Sequence, residues 1–333
     1  MSRIKIVLLS LIAICVVTES YGSDKLKVVT SASMFHDMTK NIGGNLVDLK
    51  SIVPIGSDPH LYEPVPRDVQ TIAEADLIFV NGLTFEGWIN ELIQNSGTKA
   101  KVVRITEGIE AISSLDYKNA YDPHAWMSAK NGLIYIDNIK NALISADPSN
   151  EQIYIKDAMA YAQKISNLDI YIRTAIASIP RDQRVLITSH DAFQYYGREY
   201  GLKLEAIMGI STESDAQTSD LIRVTDAIKD YKVPAIFIES TINPAMIQQI
   251  AKDNDIQIGG ELFADSLSEP DSKAGTYYDM LKHNTDVIVS GLNREKLEEH
   301  DHRKDTGSGI LSYALIGALL LAGFLFVVYK MNN

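Results

Sequence analysis

The sequence predicts an α/β protein: two α/β lobes with largely parallel sheets, joined by one long rigid helix, plus a C-terminal transmembrane helix. Three observations carry this. Short runs rich in Val and Ile alternate with helix-type segments, the rhythm of α/β layers. About 29 residues near the middle hold neither proline nor glycine. Residues 310–329 are apolar or small and uncharged, matching the ~20 residues of a membrane span.

The ends set the compartment. Arg3 and Lys5 precede an apolar run at 6–17, and Ser20-Tyr21-Gly22 supplies small residues, so 1–22 reads as a secretory signal cleaved before Ser23. The single cysteine, Cys15, lies inside that run. Ile14 is bulky where a lipoprotein signal wants a small residue, which disfavours lipidation at Cys15. After cleavage no cysteine remains, so a metal site must be built from nitrogen and oxygen. A formal net charge of −12 argues against a general nucleic-acid binder. The 46% hydrophobic and 22% charged content is that of a globular body long enough for two domains.

The N-terminal lobe, 23–147, holds candidate strands at 27–30, 49–53, 77–80 and 101–105. The C-terminal lobe, 180–299, holds them at 185–188, 204–207, 235–238, 256–258 and 287–289. Each is short, rich in Val and Ile, and bounded by Gly, Asp or Pro. Between the lobes, Pro148 opens a connecting helix, 148–179, and Pro180 ends it. Its roughly 29 helical residues, at 1.5 Å each, span roughly 44 Å. Ile155, Met159, Ala162, Ile165, Leu168 and Ile172 follow steps of three and four and predict its buried stripe. Residues 300–309 are polar and read as a tether before the apolar segment. Arg303 and Lys304 on one side and Lys330 on the other do not decide orientation. The signal does: the body crosses the membrane and the C-terminal helix stops transfer, anchoring it on the extracytoplasmic face.

Seven histidines are present, with no HExxH and no close helical pair. Local context separates three of them. His60 and His124 each end an Asp-Pro-His triplet in a loop of the first lobe. Proline fixes its own φ and biases its predecessor toward extended geometry, so a histidine there loses less freedom on ligation. His190 follows the strand at 185–188, and Asp265 follows a strand that ends near Gly259-Gly260. In open α/β sheets ligands bind beyond the carboxyl ends of strands. Read alone, the two triplets also fit ordinary turns, His190 a capping or core histidine, and Asp265 a helix N-cap. His36 and His283 read as ordinary helix residues, and His300 and His302 as part of a solvated tether.

At this point the chain resembles the metal-binding solute-binding proteins of ABC importers, the cluster A-I or cluster 9 group, and within it the TroA-like members. The residues that carry the resemblance are DPHLY at 58–62, ADLIFVNG at 75–82, DPHAW at 122–126, TSHDAFQYY at 188–196, PAIFIEST at 234–241, GGELFADS at 259–266 and Gly275-Thr276-Tyr277. They stand in the family's order and cover nearly everything from about Leu26 to Leu292.

The resemblance implies a metal buried between two lobes, with His60, His124, His190 and Asp265 as ligands. Members of the manganese type usually carry Glu at the position of His190. Strongly zinc-selective members have a His- and acid-rich loop, and 108–119 holds no histidine. Three imidazoles and a carboxylate suit zinc when Asp265 is monodentate, and manganese when it is bidentate, with ferrous iron third. A ligand set closed by protein groups argues against catalysis, because a catalytic zinc keeps an open position. A metal-dependent hydrolase would need an exchangeable water beside an acid such as Glu239 or Glu205. An adhesin has no recognisable module here. No Walker motif is present. The expectation is a monomeric extracytoplasmic receptor, not an enzyme. It captures Mn(II) or Zn(II) and passes it to an ABC permease driven by a cytoplasmic ATPase.

Overall fold

The computed structural model describes residues 25–114, 120–213, 216–293 and 330. The expected signal segment (1–22) and tether (300–309) lie outside the described residues. The first lobe runs β1 (Leu26–Thr30), α1 (Ser33–Gly43), β2 (Val47–Ser51), α2 (Pro66–Ala73), β3 (Leu77–Val80), α3 (Ile89–Ser96), β4 (Lys101–Arg104) and α4 (Ala129–Ala146). Its four strands form one parallel sheet in the order β2-β1-β3-β4. Strand β3 reads Leu-Ile-Phe-Val and is buried throughout. That continuous apolar run belongs to a parallel strand covered on both faces. One face packs on α1 and α4. The other carries a smaller cluster of Val29, Ile52, Ile78, Ile72 and Leu92 under α2 and α3.

Helix α5 (Glu151–Ala177) joins the lobes after a 3-10 turn at Pro148–Asn150. Its 27 residues reach about 40 Å. It packs against α1 and α4 of the first lobe and against α6 and α9 of the second. The buried stripe is Tyr154, Ala158, Tyr161, Ile165, Leu168, Ile172 and Ile176. The sequence stripe matches it from Ile165 onward, but Met159 is 68% exposed. Tyrosines take the buried face in the first half because their hydroxyls find acceptors. Tyr154 Oη donates to Asp147 Oδ2 at 2.8 Å, and Tyr161 Oη to Asp37 Oδ2 at 3.2 Å.

The second lobe runs β5 (Val185–Thr188), α6 (Gln194–Tyr200), β6 (Lys203–Ala206), α7 (Thr218–Tyr231), β7 (Ala235–Glu239), α8 (Ala245–Asp253), β8 (Gln257–Leu262) and α9 (Tyr277–Leu292). β5 pairs with β6 and β7 with β8, both parallel, and β5 lies beside β7. The strand expected at 287–289 is instead part of α9. Thr276 caps that helix, accepting from Asp279 N, and Tyr277, Leu281, Asn284, Ile288 and Leu292 face the core at helical spacing. A helical period over sixteen residues outweighs the β-propensity of three.

One part of the expected fold class is overturned. Among the described residues no helix is long and apolar enough to cross a membrane. The longest, α5, carries Glu151, Lys156, Asp157, Lys164, Asp169 and Arg173. Hydrocarbon cannot solvate such charges. The segment at 310–329 lies outside the described residues, so the C-terminal transmembrane helix is not a part of the observed fold.

Candidate metal centre

The two Asp-Pro-His triplets fold the same way. In each, the aspartate Oδ1 accepts the backbone N–H of the histidine two residues on, at 2.9 Å for Asp58–His60 and 2.8 Å for Asp122–His124. This side-chain-to-backbone turn is what Asp offers at such a position. The prolines between them are tied down by their carbonyls. Trp88 Nε1 donates to Pro59 O at 2.9 Å and Asn81 Nδ2 to Pro123 O at 2.9 Å. Behind the loops, buried Glu86 accepts from Ser31 Oγ at 2.6 Å and from Asn81 N at 2.7 Å.

The second lobe supplies its residues from strand ends. His190 lies two residues past β5, where its N–H donates to Glu239 Oε1 at 2.8 Å and its carbonyl accepts from Thr188 Oγ1 at 2.8 Å. Asp265 follows β8. The carbonyl of its neighbour Ala264 accepts from Trp126 Nε1 at 2.9 Å, a bond between lobes. Tyr195 Oη reaches back to Asp122 O at 2.8 Å, and Ser266 Oγ accepts from Gly56 N at 2.7 Å. Inter-lobe bonds thus flank the segments that carry the four candidate ligands.

The four residues converge. One ligand atom from each of His60, His124, His190 and Asp265 lies within 4.8 Å of the others, and all four residues are buried. Among the described residues this is the group of His, Cys, Asp and Glu placed to hold a metal ion. His60 Nε2 is 3.3 Å from His124 Nε2. Asp265 Oδ1 is 3.3 Å from His124 Nε2, and Oδ2 is 3.0 Å from His190 Nε2 and 3.8 Å from His60 Nε2. Two ligands at about 2.05 Å from one tetrahedral ion stand about 3.3 Å apart, so these separations suit a shared cation. Both oxygens of Asp265, both ring nitrogens of His190 and Oε2 of Glu239 are buried without an aligned hydrogen-bond partner. Such atoms are costly unless a further group satisfies them.

Charge is arranged around the same point. Burial lowers the His60 imidazole to about 3. Burial also opposes charge on His124 and His190. For His124 it is outweighed by Asp265 and Asp122, which raise it to about 9. For His190 it is outweighed by Glu239 and Asp265, which raise it well above the ordinary value. Burial would raise Asp265, but His190 and His124 hold it well below the carboxylate range. A cavity of about 50 Å³ opens beside His60, between Thr84, Tyr121 and Pro123 of one lobe and Ile210 and Ser211 of the other.

His36 on α1 and His283 on α9 stand apart from the cluster, and His283 Nε2 sits 3.1 Å from Glu261 O. Glu205, one acid a hydrolase would have used, pairs with Arg223 at 2.7 Å. Glu239, the other, is engaged with His190. Sequence reasoning assigned no role to Asp58, Asp122 or the Glu239–His190 pair. The repeated Asp two residues before each histidine was the available signal for the first two. Nothing local points to Glu239, which is 49 residues from its partner.

Known proteins resemble the chain over most of its length. The family model described as ZnuA, zinc-uptake complex component A periplasmic, matches residues 28–291. The chain is 36% identical over 275 residues to the manganese-binding lipoprotein MntA of Halalkalibacterium halodurans, covering 83% of this chain and 91% of that one. It is 37% identical over 281 residues to the manganese ABC transporter substrate-binding lipoprotein PsaA of Streptococcus pneumoniae, covering 82% and 91%. Among solved structures, the periplasmic zinc-binding protein TroA of Treponema pallidum superposes with a TM-score of 0.77 at 35% identity, covering 81% of this chain and 99% of that one.

Proposed function

The chain belongs to the ZnuA family of zinc-uptake complex components, and from that premise we propose that His60, His124, His190 and Asp265 hold its cargo. The protein is the extracytoplasmic substrate-binding component of an ABC importer for a divalent transition metal, manganese or zinc. Its partners are the importer's permease and, through it, a cytoplasmic ATPase. The family is a transport component rather than a catalyst. The relatives MntA and PsaA are named lipoproteins, and no helix among the described residues bears out the single-pass anchor expected at the C-terminus.

One observation supports the ligand assignment above the others: Asp265 buries two unsatisfied carboxylate oxygens facing three imidazole nitrogens. With Asp265 monodentate the set is tetrahedral and suits zinc; with it bidentate the ion is five-coordinate, which manganese accepts. Since both lobes donate ligands, capture ties the lobes together and release needs them to part. The test is metal content by elemental analysis of protein from its native host, beside a His190→Ala variant. One bound Mn or Zn per chain, lost in the variant, supports the reading. Unchanged metal content in His190→Ala sinks it.

A further inference from the structure

We infer that Glu239 is a positioning residue for His190, fixing from behind which imidazole nitrogen faces the metal; this rests on the ligand assignment above. Glu239 is the last residue of β7 and is 2% exposed. Its carboxylate engages His190 twice. Oε1 accepts the backbone N–H at 2.8 Å, and Oε2 lies 2.7 Å from Nδ1, in ion-pair contact but off the line of an ideal hydrogen bond. A neutral imidazole has one donor nitrogen and one acceptor nitrogen. Once a cation has displaced the second proton, a carboxylate against Nδ1 keeps the remaining one there and leaves the Nε2 lone pair for the common point, 3.0 Å from Asp265 Oδ2.

Asp122 plays the same part for His124. Its Oδ1 accepts the backbone N–H at 2.8 Å and lies 2.8 Å from Nδ1. The two carboxylates come from different lobes and different local structures, a loop triplet and a strand end, yet arrive at the same pair of contacts. His60 has only half of this arrangement: Asp58 accepts its N–H, and no carboxylate faces the back of its ring among the described contacts. The site therefore contains two braced imidazoles and one unbraced, and the unbraced one borders the cavity between the lobes. Partners of this kind typically contribute 10–100-fold to metal affinity.

The test uses the full protein and Co(II) alone, titrated by its visible absorption. Glu239→Gln keeps the shape and can still accept the backbone N–H. Its amide would donate toward Nδ1, moving the imidazole proton to Nε2, the nitrogen that must bind. Affinity should fall 10–100-fold with an altered Co(II) spectrum. Glu239→Asp, which keeps the charge, should recover part of both, and it decides the matter if the glutamine variant does not fold. Adding Glu239→Gln to His190→Ala should cost no further affinity, since the carboxylate acts through that ring. Wild-type affinity and spectrum in Glu239→Gln overturn the inference, as does a full additional loss in the double variant. The ligand assignment fails separately, if His190→Ala and Asp265→Ala bind Co(II) as the wild type does.

Discussion

Thr212 donates its hydroxyl to Asp58 Oδ2 at 2.6 Å, while Oδ1 of the same carboxylate holds the backbone N–H of His60. A single half-buried side chain thus ties the His60 loop of the first lobe to the second lobe. Thr212→Val keeps the volume and removes the donor. The loss should be about 1.5–3 kcal/mol, the range for a hydrogen bond to a charged partner. Thermal melting should show it, and a chelator should strip metal from the variant faster than from the wild type. Equal release rates would mean that this bond does not hold the lobes closed over the cargo.

Metal capture should release protons. Near pH 7 the neighbouring carboxylates hold His124, raised to about 9, and His190, raised well above its ordinary value, in their protonated forms. His60, lowered to about 3, carries no proton to lose. A cation must displace the protons on the first two, so affinity climbs as pH rises toward 9. Calorimetry in buffers of different protonation enthalpy should return one to two protons released per ion near pH 7. An affinity flat between pH 6 and 8 would contradict this.

The same pairs make the metal-free protein sensitive to pH in a definite sense. A histidine whose folded value lies above its unfolded value contributes stability at low pH that is lost as pH rises through the folded value. For His124 that window runs from about 6.5 to about 9. Metal-free protein should therefore melt at a lower temperature at pH 9.5 than at pH 7. Asp265→Asn removes the carboxylate both histidines share, and should cost about 3–5 kcal/mol at pH 7, the range for breaking a buried pair. It should also flatten the pH dependence. Melting curves of both proteins across pH 6–10 measure this, and a variant as stable as the wild type at pH 7 refutes it.

Gly132 on α4 marks a close approach that the bridge between the lobes needs. Tyr277 Oη passes it to donate to Trp126 O at 2.6 Å, and a Cβ at position 132 would stand 2.8 Å from the tyrosine hydroxyl. Gly132→Ala should gain the helix preference of alanine, roughly 1 kcal/mol. It should lose more by displacing Tyr277, since overpacking costs about 1–3 kcal/mol. A lower midpoint in denaturant is the expected outcome. A stabilised variant would show that the tyrosine can give way without loss.

Much of the fold was legible because its signals are local. The all-apolar β3 and the Val-Leu-Ile run of β5 announce buried parallel strands, and the run without proline or glycine before Pro180 announces α5. The errors also have local causes. Val287-Ile288-Val289 resembles a strand until the longer helical period around it is counted. Met159 fits an apolar step, but Tyr161 fills the buried face because Asp37 is there to accept its hydroxyl. The apolar character of 310–329 is a property of composition, and no helix among the described residues bears out a membrane span.

What the sequence by itself determined, then, is which residues could serve: two histidines on Asp-Pro-His turns, one histidine and one aspartate beyond strand ends, and a family order that joined them. Those properties reside in φ restriction, side-chain-to-backbone bonds and strand periodicity, all settled within a few residues. Only the tertiary structure decided that the four meet in one place. His60 and His124 are 64 residues apart, and Asp265 stands on the other lobe. Their meeting depends on α5 holding the lobes in register and on inter-lobe bonds such as Trp126 to Ala264. It decided also that Glu239 stands behind His190, a contact made by two strand ends lying side by side. No local pattern encodes it, because the geometry exists only once β5 and β7 have packed.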